Sequence, residues 1–228
     1  MKAFTTIAAS LCTIALFAVE EIKPILDVDL TKKEPIVLNG RSSTITGDGE
    51  TILPDGQKLL KYGEKTALKV HVGKDLGEVG TIIFQYALMP FPAYKGTPRR
   101  PMCTIDAAGK LQIGFSTAAN IKPPFLQFNF ADGKNNMYFV KNKLEFNEVY
   151  TAAMTFDGTT IRCYLDGVMI HEAKQPVTIA RGSLRDLFLG PVKNGWYNSG
   201  TWQGGTLAKR ILVYNTALTE AQLKDAVK

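Results

Sequence analysis

An all-β fold, an antiparallel β-sandwich, is predicted by two features of this sequence. Short apolar runs alternate with polar residues through the middle and the end of the chain, and Gly, Asp and Asn cluster between these runs at short spacing. No helical pattern separates them, so a parallel sheet with helical crossovers is not expected.

The first residues predict export. Lys2 supplies a positive charge, and an apolar run from Ala3 to Ala18 ends on small residues before Val19. This pattern is typical of a secretory signal peptide, residues 1–18. About 15 apolar residues are fewer than the roughly 20 that a membrane-spanning helix needs. We therefore expect a secreted or extracytoplasmic protein, in the periplasm or at the cell surface, without a membrane span in the mature chain.

The remaining residues fit one domain, because β-sandwiches of this length form single units. We divide them into an irregular N-terminal arm with the first strands, residues 19–60, and a sandwich, residues 61–228. The chain has 27 Lys and Arg against 21 Asp and Glu. The basic residues are scattered or occur in small clusters such as Lys209-Arg210, so nucleic-acid binding is not predicted.

Several segments have strand patterns. Val70 and Val72 alternate with Lys69 and His71, which predicts a strand with one buried face. The run 81–87 is almost wholly apolar and is typical of a strand buried on both faces. Apolar alternation on both sides of 107–109 predicts a hairpin.

The strongest hairpin signal is Asp157-Gly158 between two apolar runs, and Asp166-Gly167 follows as a second turn. Such pairs favour tight turns with positive φ. At the end of the chain, Thr219 can cap a helix over 220–227, with Leu223 and Val227 on one face.

Residues 149–167, with their two Asp-Gly turns, and the segments 187–190, 202–204 and 211–220 resemble the motifs of laminin-G-like, concanavalin A-like lectin/glucanase domains. The resemblance implies a jelly-roll sandwich and a carbohydrate-binding function. Relatives commonly organise calcium with an acidic residue before the last strand, where this chain has Ala208-Lys209-Arg210. Calcium is therefore compatible with the fold but disfavoured, and no other cofactor is expected.

Catalysis is not expected either. Glycosidases need two facing carboxylates, and the Glu-x-Asp-x-x-Glu strand of glycosidase relatives is absent. Asp27-Val28-Asp29 has no third carboxylate on its face, and Glu145 and Glu148 lie in a polar connection. His71 and His171 lack metal-ligand spacing, so no metal site is predicted.

Two cysteines follow the signal segment, Cys103 and Cys163. Export permits a disulfide between them, but both positions are on apolar strand faces, where a free thiol behaves as a small hydrophobe. Both alternatives remain open.

Aromatic residues give the main candidate for a ligand site. Trp196 and Tyr197 occur with Asn194 and Asn198 in a loop of turn-forming residues, and flat rings beside amide donors suit a sugar. Phe91 and Tyr94 form a second exposed candidate. In the family that this sequence resembles, an aromatic residue usually packs at the position of Trp202, so the resemblance implies a structural role for Trp202.

The predicted function is a secreted, non-catalytic glycan-binding or cell-surface adhesion module. Its partner would be a polysaccharide or a cell-surface glycan, with an anionic glycan left open. The alternatives are a structural or protein-interaction sandwich without a small-ligand site, and a degenerate glycoside hydrolase.

Overall fold

The structure is a computed structural model that describes most of the predicted strands. It describes residues 22–32, 34–38, 41–43, 47, 49–62, 68–72, 76–89, 99–106, 112–118, 125–131, 136–139, 144–174, 186–189 and 206–228. The predicted signal peptide lies outside the described residues. Within the described ranges, no helix is both long and apolar enough to cross a bilayer.

Two antiparallel sheets form the sandwich. In the described residues the larger sheet has eight strands: β1 (Leu26–Asp29), β4 (Gly49–Ile52), β5 (Lys58–Tyr62), β7 (Val79–Leu88), β12 (Val149–Asp157), β13 (Thr160–Leu165), β14 (Val168–Lys174) and β16 (Thr206–Tyr214). Their order is β14-β13-β12-β7-β16-β5-β4, with β1 also paired to β16.

The smaller sheet has six described strands: β6 (Leu68–His71), β8 (Arg99–Asp106), β9 (Gln112–Ala118), β10 (Phe125–Ala131), β11 (Asn136–Phe139) and β15 (Asp186–Leu189). Their order is β11-β10-β9-β8-β15-β6. A separate hairpin pairs β2 (Ile36–Leu38) with β3 (Arg41–Ser43). This architecture confirms the predicted sandwich and includes the hairpin predicted around 107–109, because β8 pairs with β9.

The core lies between the two sheets and is rich in aromatic rings. Phe84 on β7 stacks on Phe115 on β9, with ring centroids 6.2 Å apart. Phe130 on β10 lies 6.5 Å from Phe156 on β12. These contacts place β9 over β7 and β10 over β12. The run 81–87 is buried throughout, as predicted.

Cys103 and Cys163 are buried free thiols, so the structure contains no disulfide between them. The sheet alignment explains this. Cys103 is on β8, two strands from β10, whereas Cys163 is on β13, one strand beyond β12 in the opposite direction. Three strand spacings are about 14 Å, well beyond the roughly 7 Å between Cα atoms that a disulfide tolerates. Burial raises the pKa of both thiols.

Both predicted Asp-Gly turns are present. Gly158 has φ of 89° between β12 and β13, and Asp166 and Gly167 have φ of 50° and 75° between β13 and β14. The first turn is reinforced by the Asp157 carboxylate, which accepts hydrogen bonds from the backbone N–H groups of Thr159 and Thr160 at 3.1 and 2.9 Å.

The predicted C-terminal helix is α1 (Glu220–Ala226), capped by Thr219 in a reciprocal capping box with Gln222. Leu223 is buried against the outer face of the larger sheet. The chain before the helix is held by the buried Thr81 hydroxyl, which donates to the Thr216 carbonyl oxygen and accepts from the Leu218 N–H. The helix therefore covers part of that face.

Strands β1, β4 and β5 belong to the larger sheet. Most of the strand-forming part of residues 19–60 is therefore sandwich rather than a separate arm, and the predicted division at residue 61 falls inside β5 (Lys58–Tyr62).

Candidate functional site

A polar row crosses the outer face of the larger sheet between two apolar clusters. The strand registers place Thr151 opposite Gln85, Gln85 opposite Arg210, and Arg210 opposite Asp29. On one side the row is bordered by the cluster beneath α1, which contains Ile83, Ala153 and Leu212. On the other side it is bordered by Leu53, Leu59, Ala87 and Leu207.

A groove with a volume of about 650 Å³ lies over the part of this row that begins at Gln85, and it is lined by Gln85, Arg210 and both aspartates of β1. Its volume is within the range of about 300–1,000 Å³ that is usual for ligand sites. A smaller hollow of about 420 Å³ adjoins it beside α1. Asp27 and Arg210 line both spaces and therefore lie between them.

The alternation of β1 determines which of its side chains line the groove. Leu26 and Val28 are buried in the core, so Asp27 and Asp29 project from the opposite face. Asp29 also organises the turn that leaves the strand, because its carboxylate accepts hydrogen bonds from the Thr31 N–H at 3.0 Å and the Thr31 hydroxyl at 2.6 Å. Partial burial favours a higher pKa for Asp29, but these bonds and the positive charge of Lys32 outweigh it and lower the pKa.

A register shift in β16 explains why two consecutive basic residues reach the groove. The shift lies between Ala208 and Arg210, and such a bulge re-aims the side chains next to it. Lys209 donates to the Gln57 amide oxygen at 2.8 Å. Arg210 binds Asp27 through two hydrogen bonds, Nε to Oδ1 at 2.9 Å and Nη2 to Oδ2 at 2.8 Å, and this pairing raises the pKa of Arg210.

Gln85 forms the floor of the groove and is only 9% exposed. Its amide nitrogen lies 3.5 Å from the Thr151 hydroxyl, a long hydrogen bond. Burying an amide between apolar clusters is unfavourable unless it finds good partners. A polar side chain here is therefore not required by packing and is available to a polar ligand.

The smaller hollow has a more apolar wall, formed by Ile22, Leu212, Tyr214 and Leu218. Partial burial raises the pKa of the Tyr214 hydroxyl, on which Arg210 and Asp27 also act electrostatically. The phenol therefore lies near the ion pair between the two spaces.

The predicted ligand residues Trp196, Tyr197, Asn194 and Asn198 lie outside the described residues, as do Trp202, Phe91 and Tyr94. Strand β7 precedes the segment that contains Phe91 and Tyr94, and strand β16 follows the segment that contains the tryptophans. The last residue of β7, Leu88, pairs with the first residue of β16, Thr206, so these two strand ends lie at the same edge of the sandwich. The aromatic site stays a prediction.

The sequence patterns did not identify the polar row. Asp27-Val28-Asp29 was considered only for catalysis, and Lys209-Arg210 only as a small basic cluster and as a departure from a calcium-binding pattern. Alternation indicated that Asp27 and Asp29 share a face, but the register that brings them to Arg210 is not encoded in any local pattern.

No cluster of three or more His, Cys, Asp or Glu suited to hold a metal ion occurs in the parts of the chain that the structure describes. His171 is exposed on β14.

Solved structures with the same fold include carbohydrate-related domains. Domain 4 of AbnA, an extracellular GH43 arabinanase from Geobacillus stearothermophilus, solved in complex with arabinotriose, has a TM-score of 0.62 at 14% identity over 92% of this chain and 100% of that one. The botulinum neurotoxin serotype D ligand-binding domain, in complex with N-acetylneuraminic acid, has a TM-score of 0.62 at 11% identity over 90% of this chain.

The botulinum neurotoxin type G receptor-binding domain has a TM-score of 0.58 at 13% identity over 90% of this chain. This chain covers 50% of each of the two neurotoxin domains. At these identities the likeness establishes the fold. No curated protein matches the sequence.

The family is established by the sequence itself. Residues 94–224, more than half of the chain, match the Laminin_G_3 family, and this protein therefore belongs to the concanavalin A-like lectin/glucanases superfamily.

Proposed function

We propose that this protein is an exported, non-catalytic glycan-binding module whose binding surface is the groove on the outer face of the larger sheet. The observation that carries the proposal is the set of polar side chains at the base of the groove, above all the buried amide of Gln85, whose hydrogen bond to the Thr151 hydroxyl is long at 3.5 Å. Sugar hydroxyls both donate and accept, so they can satisfy such a group.

The fold supports the same function. Two structural neighbours were solved with a bound saccharide, arabinotriose in one and N-acetylneuraminic acid in the other. Because a fold alone does not determine function, the proposal depends on the groove and needs a direct binding test.

Two acids of the groove have features that favour binding over hydrolysis. A general acid needs a raised pKa, whereas the pKa of Asp29 is lowered. Asp27 is held by two hydrogen bonds from Arg210.

The test is a glycan array probed with residues 19–228, with and without EDTA. Gln85→Leu is the informative variant, because an apolar residue of similar shape suits the neighbouring clusters and leaves no unsatisfied amide. Glu172→Gln is the matched control, since it changes a partly exposed ion-pair residue on β14, outside the groove. We expect EDTA-insensitive glycan binding that Gln85→Leu abolishes and Glu172→Gln preserves. An array without signal would contradict the proposal.

The aromatic loop is tested separately. Trp196→Ala should abolish polysaccharide retention with little change in thermal stability if the loop is the sugar platform, whereas Trp202→Ala should cost about 3–5 kcal/mol if that ring is buried. If Trp196→Ala still binds the polysaccharide and Gln85→Leu does not, binding is assigned to the groove and not to the loop.

Export is a further part of the proposal. Protein recovered outside the cytoplasm should begin near Val19, and an intact mass that retains Met1 would contradict this.

A protein-interaction domain is the second candidate, favoured by β14. In the described sheet β14 is an edge strand, and its Val168 and Met169 are 58% and 45% exposed. Such an edge can pair with another strand. Two results together would favour this candidate. Light scattering would show an oligomer for the parent but not for Met169→Lys, and the glycan array would give no signal.

A further inference from the structure

The charges around the groove are balanced between the two signs. Across the groove and the adjoining hollow, the acidic lining residues are Asp27, Asp29, Glu34 and Asp225. The basic lining residues are Lys32, Lys209, Arg210 and Lys228. Among the described residues, the lining therefore offers no excess of positive charge to an anionic ligand.

Three of the four cations are also close to carboxylates of the same lining. Arg210 binds Asp27 at 2.8 Å, Lys228 binds Asp225 at 2.6 Å, and Lys32 lies 3.6 Å from Asp29. An anionic group could bind these cations only in competition with a neighbouring carboxylate, and repulsion from that carboxylate would oppose it.

An uncharged sugar meets no such penalty. Its hydroxyls can donate to a carboxylate and accept from a guanidinium without displacing either partner. The amide of Gln85 adds a neutral polar group on the floor. The chemistry of the lining thus matches a neutral ligand with many hydroxyls.

The ion pair also divides the site. Asp27 and Arg210 line both spaces, with the polar groove on one side and the more apolar hollow beside Tyr214 on the other. A ligand that fills both must be longer than one compact unit and must pass over the pair. A linear chain of sugar residues has this shape.

We propose that the groove and the adjoining hollow together bind an uncharged polysaccharide chain, with the Asp27–Arg210 pair between two sugar-binding positions. This inference rests on the proposed glycan-binding function and specifies its ligand class. It excludes the anionic glycans that the sequence left open.

The experiment measures binding of residues 19–228 to immobilised arabinan, β-glucan and galactomannan, and to heparin and polygalacturonate, from 50 to 500 mM NaCl. We expect at least one neutral polysaccharide to bind with an affinity that changes less than about two-fold over this range, because no net charge is screened. Oligosaccharides of that polymer should bind at least about ten-fold more tightly at four units than at one, since only the longer chain reaches both positions.

Variants test the location. Arg210→Ala should weaken binding of the neutral polymer at least about ten-fold, whereas Glu172→Gln on β14 should leave it unchanged. If Arg210→Ala lowers the melting temperature, Asp27→Asn replaces it, because it keeps the side-chain shape and removes only the charge.

The outcomes separate the two proposals. Binding to none of the five polymers would overturn glycan binding itself. Preferential binding to heparin or polygalacturonate that falls steeply with salt would leave glycan binding intact and overturn the neutral ligand class. If binding is insensitive to salt and neither Arg210→Ala nor Asp27→Asn changes it, the proposal that two sugar-binding positions lie on either side of the ion pair is overturned.

Discussion

Arg162 and Arg210 are similarly exposed arginines of the larger sheet, at 31% and 32% of their side-chain surface, and both form short ion pairs. Their partners differ in sequence distance. Arg162 binds Asp157 and Glu172, five and ten residues away, whereas Arg210 binds Asp27, 183 residues away.

The comparison separates two kinds of region. The strands β12 to β14 are consecutive hairpins, so their ion pairs reinforce turns that the local sequence already favours. The pair on β1 and β16 joins distant parts of the chain and shapes a groove. We therefore expect changes in the hairpins to affect mainly folding, and changes in the groove to affect mainly binding.

The largest expected effect is in the core beneath the hairpins. Phe156 on β12 is fully buried and contacts Phe130 of the opposite sheet. Phe156→Ala should lower the free energy of unfolding by about 3–5 kcal/mol, measured by urea denaturation. The control Ile52→Ala, at a side chain that is 71% exposed, should stay close to the parent.

The next effect concerns the first hairpin turn. Gly158 has φ of 89°, and beyond its two chain neighbours no other residue has an atom within 4 Å of the position that a Cβ would occupy, so a substitution there is penalised by backbone conformation alone. Gly158→Val should lower the free energy of unfolding by about 1 kcal/mol or more. Gly158→Asn should lose less, because Asn tolerates positive φ. Equal stability of the parent and the Val variant would contradict the assigned turn.

Acid should weaken the same hairpin. Burial alone would raise the pKa of Asp157, but hydrogen bonds from Arg162, Thr159 and Thr160 outweigh it and lower the pKa to about 2. The unfolded value is about 3.9, so the stabilisation is complete above that pH and is lost as the pH falls towards 2. Because the carboxylate is partly exposed, we expect a loss of about 0.5–1 kcal/mol. Urea denaturation at pH 5 and 2.5 should show an acid-induced loss of stability that is larger in the parent than in Asp157→Asn by about this amount.

The smallest stability effect is expected in the groove. The Asp27–Arg210 pair is partly exposed, and such pairs contribute about 0.2–1 kcal/mol. Arg210→Ala should therefore change the melting temperature little while it weakens glycan binding. A variant that unfolds would show that the pair holds β1 to β16, and the contrast between the two regions would fail.

Local sequence determined the hairpins. Asp157-Gly158 and Asp166-Gly167 predicted turns with positive φ because few residues adopt that conformation as readily as glycine. Alternation likewise predicted which faces of β6 and β8 are buried, and Thr219 predicted the start of α1, because a capping side chain acts within one helical turn.

Only the tertiary structure decided the candidate site. Alternation shows that Asp27 and Asp29 project from the same face of β1, but not that β1 pairs with β16 at the other end of the chain. The polar row of Thr151, Gln85, Arg210 and Asp29 comes from four strands, and its members become neighbours only when the sheet registers are set. Register between distant strands depends on the packing of the whole core, which no short stretch of sequence records.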